Sequence, residues 1–480
     1  MPAKTAVAYR ATGLSIWPER VKGSMLPLGL TLIVLGLVAL PVVVLLFASF
    51  RPASQLPFTG NTWTTATYAE VFGSASTYHL LKNTFLYAAG ALAVSLPVAF
   101  ILAWLTERTD LPGRRLLYTL MIVPVLMPSF AVALGWILLL GPNAGTINVF
   151  LGDLLALATY RGPLNIYTMW GMVFVTGIIA VPSMWLLLLA LFRNFDPCLE
   201  EAAATSGAGR WQVLKRVAVP LMLPGILAVL VYFTIIFIEV FEVPLVIGTT
   251  AEISVLSVKI YLLTRRAEEG YHYEAAATFG LMTLVLGGVL MVGYLRAVRV
   301  SAKFAVVTGK GYRPRLVQLG QLKDLALAGG MVYFLVAVVL PTLILVWASL
   351  LRFYVPFSPD NSHLLSLHNY RLILGREDFV TALQNTLITS CMAATVSMLL
   401  AAIIAWYLVR RPGLLPRVLG IVSFMPLAIP NVIIALALLR CADRHRRHAG
   451  VHRPGACGSG RGTLGQISQS GCARGAVSSP

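Results

Sequence analysis

Carboxylates are the side chains best placed to do chemistry in this sequence. Glu239 and Glu242 interrupt an apolar stretch three residues apart, a spacing that puts two side chains on one face of a helix. Acids in such a setting face a cavity or a partner rather than lipid. They are therefore candidates to line a path for a cationic or chelated solute. The competing reading is a pair solvated or hydrogen-bonded at a helix end. No neighbouring group completes a general acid–base pair. Near the C-terminus, Cys441, His445, His448, His452 and Cys457 carry metal-ligating groups. Their spacing fits no zinc finger, and the run around them is basic and glycine-rich, so no metal site is assigned. No Gly-x-x-x-x-Gly-Lys-Ser/Thr occurs, and that loop is what cradles phosphates in a P-loop ATPase. This chain is therefore not expected to hydrolyse ATP by itself.

A second set of residues has the spacing of a docking element. The segment from Arg193 to Pro220 holds Asp196-Pro197, then Glu200-Glu201-Ala202-Ala203-Ala204, then Gly207, then Trp211 to Val219, then Pro220. Asp196 suits a helix N-cap and Pro197 its first turn. The alanines favour helix and Gly207 is placed to end it. Lys215 and Arg216 lie near the end of a second short amphipathic stretch, where the helix dipole favours cations. The pattern predicts a short helix-turn-helix, with small residues that let another surface approach closely.

The elements that position these residues are membrane spans. Of 480 residues, 58% are hydrophobic and 12% charged, whereas soluble domains carry about 25% charge. About 20 apolar residues cross a bilayer core, and nine stretches qualify: 28–50, 84–106, 116–140, 168–192, 224–247, 278–295, 325–351, 386–409 and 418–439. They are too long for barrel strands, so the fold class is an all-α polytopic membrane protein. Prolines 97, 124, 128 and 182 fall inside spans and are expected to kink them. The net charge of +18 reflects topology, not nucleic-acid binding. With a cytoplasmic N-terminus the inside segments hold 21 Lys and Arg and the outside segments 9, as the positive-inside rule requires. The first span has no convincing cleavage site after it, and Cys198, Cys391, Cys441, Cys457 and Cys472 imply no disulfide framework.

The spans repeat. Leu40-Pro41 and Phe47-Ala48-Ser49 match Leu340-Pro341 and Trp347-Ala348-Ser349. Tyr68, Asn83-Thr84, Ala103-Trp104, Pro112-Gly113, Pro124 and Pro128 match Tyr370, Asn385-Thr386, Ala405-Trp406, Pro412-Gly413, Pro426 and Pro430. The offset stays between 300 and 302. Two parallel copies of one helical unit are expected, related about the membrane normal with a pathway between them. The first unit is 1–310 with six spans. The second is 311–439 with three spans, and is incomplete. Residues 440–480 form an aberrant tail that reads like an out-of-frame continuation, for which disorder is expected.

Glu201-Ala202-Ala203, Gly207 and Val217-Ala218-Val219-Pro220 resemble the EAA loop of binding-protein-dependent ABC permeases, with Val in place of Ile and Leu. Glu274-Ala275-Ala276-Ala277 with Gly280 lacks the closing half of that pattern and is given no coupling role. Phe241-Glu242-Val243-Pro244 leading to Ile247-Gly248 is similar to the double-length iron(III)-type permeases. The resemblance implies a permease subunit of an importer in a bacterial inner membrane, not an enzyme. Its loop residues Glu200, Glu201, Ala202, Ala203, Gly207, Val217 and Pro220 would couple to a separate ATPase that binds the ATP, leaving no cofactor in this chain. An extracytoplasmic solute-binding protein and membrane lipid are the other partners implied. Ferric iron comes first as solute, ahead of thiamine and polyamines. The alternative is an ATP-independent secondary transporter or channel. One coupling loop where such importers use two implies that this chain alone is inactive or works with a second chain.

Overall fold

Long apolar runs leave the backbone one way to satisfy its own hydrogen bonds in lipid, and among the described residues each long run is helical. The computed structural model describes residues 25–52, 62–156, 162–194, 203, 205–207, 209–265, 272–301, 316–410 and 414–424. In chain order the helices of seven or more residues are α1 Met25–Ser49, α2 Ala66–Gly73, α3 Ala75–Arg108, α4 Arg114–Ile122, α5 Ser129–Leu140, α6 Thr146–Leu154 and α7 Met169–Asn194. They continue with α8 Val219–Glu239, α9 Leu256–Arg265, α10 Tyr273–Ser301, α11 Lys323–Phe334 and α12 Leu340–Ser349. The last are α13 His368–Leu374, α14 Glu377–Arg410 and α15 Leu414–Phe424. Among the described residues no β-strand forms, only an isolated parallel bridge between Thr109 and Val317. The chain divides into units Met1–Ala437 and Leu438–Pro480, and the second lies wholly outside the described residues, with the tail's cysteines and histidines. Cys198, Pro426 and Pro430 lie outside them too.

Among the described residues, seven helical stretches are long and apolar enough to cross a bilayer, and an eighth is bent. Eight of the nine expected spans correspond to these; the ninth is described only to Phe424. The expected continuous third span is corrected. Arg114–Leu126 and Ser129–Leu140 meet at 97°. Pro124 cannot donate to the carbonyl of Leu120, nor Pro128 to that of Pro124, so two successive bonds on one side of the helix are lost. Pro97 and Pro182 each remove only one, and α3 and α7 run through them unbroken.

The core is built around α3 and α7. Small residues bring their backbones together, as packing within a membrane favours. A Cβ on Gly90 would stand 2.7 Å from Val173, and one on Gly177 would stand 2.7 Å from Val94. Tyr87 and Thr176 hydroxyls share a hydrogen bond at 2.6 Å across this interface. The α8 helix packs on both α7 and α3, and α10 packs along α8.

The first membrane helix of each half packs on the other half, and α1 also lies along α10 of its own. Val34 and Val38 of α1 bury against Ile404 of α14 and Leu419 and Val422 of α15. Reciprocally, α12 lies along α5, where a Cβ on Gly135 would meet the Pro341 carbonyl oxygen at 2.7 Å. The halves also share local geometry. α3 and α14 are each 34 residues long and start 302 positions apart. Tyr68 donates to the Ser49 hydroxyl at 2.7 Å, and the Tyr370 and Ser349 hydroxyls meet at the same distance.

Candidate functional site

The segment joining α7 to α8 is anchored at its α7 end by buried polar contacts. Arg108, almost fully buried, donates to the Phe192 carbonyl at 2.9 Å and places positive charge where the α7 dipole is negative. Trp185 of α7 donates to the Thr106 hydroxyl at 3.2 Å and packs edge-on to Tyr118, ring centres 4.9 Å apart. Arg193 ends the helix with its guanidinium 2.9 Å from the Glu107 carboxylate and over the Tyr118 ring. The ends of α3, α4 and α7 thus enclose an open cleft of about 460 Å³ lined by Thr106, Glu107, Arg114, Arg115, Tyr118, Thr119 and Arg193.

Of the seven loop residues singled out in sequence, Glu200, Glu201 and Ala202 lie outside the described residues. Ala203 is helical and half-buried, and Gly207 is exposed with φ +86°, a conformation that glycine alone adopts without steric cost. A Cβ there would meet nothing within 4 Å, so the backbone and not packing calls for glycine. Two residues on, Gly209 N–H donates to the Gln212 side chain at 3.2 Å. This is the returning half of a capping box, and the turn Arg210–Val213 starts from it. Leu214–Ala218 then widens into a π-turn just ahead of Pro220, which has no N–H to give. Val217 is half-buried, while Lys215, Arg216 and Pro220 are exposed. The expected separate second helix is therefore corrected: Arg210 onward runs without a break into α8.

The expectation that Glu239 and Glu242 share one helix face is also overturned. The α8 helix ends at Glu239, Val240 and Phe241 leave it, and Glu242 begins the next helical turns. Pro244 has no N–H for the Val240 carbonyl, and the Ser257 hydroxyl bonds that carbonyl instead at 2.8 Å. Both acids are half-buried, and one Glu239 oxygen is buried without a hydrogen-bond partner. A third carboxylate belongs to the Glu-Ala-Ala-Ala run that the sequence gives no coupling role. Glu274, in the first turn of α10, is buried with one oxygen 3.3 Å from His272 Nδ1. An acid at a helix N-terminus was the available signal. No group of three or more metal-ligating side chains forms among the described residues.

Residues missed in sequence also tie the halves together beside the cleft. Asp110 accepts from Lys323 at 2.8 Å and from the Leu319 N–H at 2.8 Å. Val317 and Arg108–Asp110 exchange two backbone hydrogen bonds. Near the other end of the spans, Tyr354 donates to the Leu138 carbonyl at 2.7 Å. Asn148, buried, bridges the carbonyls of Leu140, Gly141 and Leu164 and accepts from the Leu164 N–H.

Residues 95–302 match the family described as binding-protein-dependent transport system inner membrane component. A ferric transport system permease protein FbpB of Actinobacillus pleuropneumoniae is 22% identical over 428 residues, 86% of this chain and 57% of that protein. A molybdenum transport system permease protein ModB of Escherichia coli (strain K12) is 32% identical over 137 residues, 28% of this chain and 57% of that protein. A bacterial alginate ABC transporter, solved with an alginate pentasaccharide-bound periplasmic protein, aligns with TM-score 0.46 and 22% identity over 58% of this chain and 95% of that one. The chain spans about half the length of the curated relatives it matches first.

Proposed function

We propose, from the match of residues 95–302 to the binding-protein-dependent transport system inner membrane component family, that this chain is the permease subunit of an ABC importer. In this reading a separate ATPase subunit docks on the loop between α7 and α8, and an extracytoplasmic binding protein delivers the solute. The N-terminus is cytoplasmic. The observation that carries the reading is the reversal at Gly207 and Gly209, whose second arm is continuous with α8. Its first arm leaves α7, whose end is held by Arg108. A push on the reversal therefore reaches two core helices directly, and α3 through α7. Motion of that kind, driven by ATP in the partner, would bias the spans between two arrangements.

The solute is read as ferric iron, supported by the relative named for ferric transport that aligns over most of this chain. Tandem duplication is part of the same proposal. Its support is the equal length of α3 and α14, the paired Tyr–Ser hydrogen bonds and the packing of each half's first helix on the other half. In this reading the Glu239 and Glu242 carboxylates contribute to the pathway.

The test is co-purification of an ATPase subunit with the full chain in mild detergent. Replacing Glu201 with Ala, or Gly207 with Val, is expected to abolish it while membrane insertion stays normal. A β-branched residue at a left-handed position costs about 1–2 kcal/mol locally, too little to unfold the bundle. Undiminished co-purification in both variants would remove the coupling role. Uptake of radiolabelled ferric iron, set against molybdate and sulfate, decides the solute.

A further inference from the structure

We propose that the cleft between the ends of α3, α4 and α7 binds the phosphate headgroup of an anionic lipid. Three guanidinium groups, Arg114, Arg115 and Arg193, line it. The one acid there, Glu107, is already engaged by Arg193. Among the described residues no carboxylate pairs with Arg114 or Arg115, and both are exposed. The cleft therefore carries uncompensated positive charge. Guanidinium groups bind phosphate oxygens in pairs, and basic pockets between transmembrane helices near a membrane surface hold anionic headgroups.

The backbone adds to this charge. Gly113, at φ +71°, turns the chain into α4 and offers no side-chain cap. The first N–H groups of α4 have no acceptor within the helix, and the dipole at that end favours an anion.

A soluble anion and a lipid share this phosphate chemistry, and the surroundings favour the lipid. Leu116, Ile122, Val123 and Leu126 are exposed along α4 and the turn after it, leading away from the basic cleft. That run gives an acyl chain an apolar track beside the headgroup, which a free phosphate would not use. The volume of about 460 Å³ is also more than one inorganic phosphate fills. A bound headgroup would bridge α3, α4 and α7 at the foot of the α7–α8 loop. This inference needs only that the chain spans a membrane, and it stands or falls apart from the importer reading.

The experiment is native mass spectrometry of the full chain in mild detergent, titrated with phosphatidylglycerol, phosphatidylcholine or inorganic phosphate. Phosphatidylglycerol is expected to be retained about tenfold better than phosphatidylcholine. The double substitution Arg114→Gln, Arg115→Gln is expected to lower that retention about tenfold, given the strength of basic side chains at a membrane surface. Arg114→Lys, Arg115→Lys should restore most of it, and Arg371→Gln, Arg376→Gln, on exposed arginines elsewhere, should leave it unchanged. Equal retention of the two lipids, or no effect of the double Gln variant, overturns the proposal. Displacement of the lipid by millimolar phosphate would reassign the cleft to a soluble anion and overturn the lipid assignment. Loss of an ATPase subunit with lipid retention intact would assign the arginines to a protein surface and do the same.

Discussion

Asp110 shows how much one side chain can organise. Its carboxylate is held below the usual carboxylate range, first by the hydrogen bond from Lys323 and then by the Leu319 N–H. A carboxyl whose folded value is depressed stabilises above its unfolded value, 3.8, and loses that contribution as pH falls through the folded value. The contact between 108–110 and 317–323 should therefore be insensitive to pH between about 5 and 8 and weaken only in acid below about 4. Asp110→Asn keeps the shape and removes the charge. We expect it to lower the protection factors of the Val317 and Leu319 amides at neutral pH to those that the parent chain shows only in acid. Unchanged exchange would mean that the two backbone hydrogen bonds suffice. None of this was legible in sequence, because Asp110 and Lys323 stand in separate halves of the chain and only the fold brings them together. Asn148 was hidden in the same way, since an asparagine that ties three carbonyls reads in sequence as one more polar loop residue.

Helices were legible where periodicity and composition decide, and illegible where contacts do. The apolar runs announced the spans, and α3 and α14, which the fixed offset between matched residues pairs, are equal in length. Four prolines were equally suspect, yet only the pair four residues apart breaks its span, since it alone removes two bonds on one side. Glycines behave in the same way: their packing roles depend on neighbours that the sequence does not reveal. Gly36 in α1 has open space where a Cβ would go, whereas Gly135 in α5 faces the Pro341 backbone at 2.7–2.9 Å. Backbone cannot rotate away as a side chain can. Gly135→Ala is therefore expected to push α5 from α12 and to cost about 1–3 kcal/mol, as overpacking does. Gly36→Ala is expected to be neutral or to gain up to about 1 kcal/mol from lost unfolded-state freedom. Thermal unfolding of the two variants in one detergent compares them, and equal midpoints would show that α5 and α12 do not bear on one another.

At the scale of the molecule, the halves are not two bundles joined by a tether. The α1 helix of the first half buries Val34 and Val38 among residues of α14 and α15. The α12 helix of the second half lies on α5, and Gly330 of α11 closes on Leu117 of α4. Between them, Tyr333 donates to the Ile178 carbonyl at 3.0 Å, and the Asp110 and Tyr354 contacts tie the two ends of the seam. Covalent continuity from one half to the other is therefore expected to be dispensable once the fold has formed, because the first helix of each half packs on the other. This gives a test in which packing and linkage disagree. A protease site inserted within 302–315, outside the described residues, allows the purified chain to be cut after folding. The two fragments are expected to elute together from size exclusion in mild detergent and to separate only when the detergent also unfolds α3 and α7. Adding Gly135→Ala should make separation easier, because it weakens a close backbone contact on the seam. Fragments that part at once would mean that the linker, and not the packing of the first helices, holds the halves together, and any rocking of one half against the other would then have to be sought within each half instead.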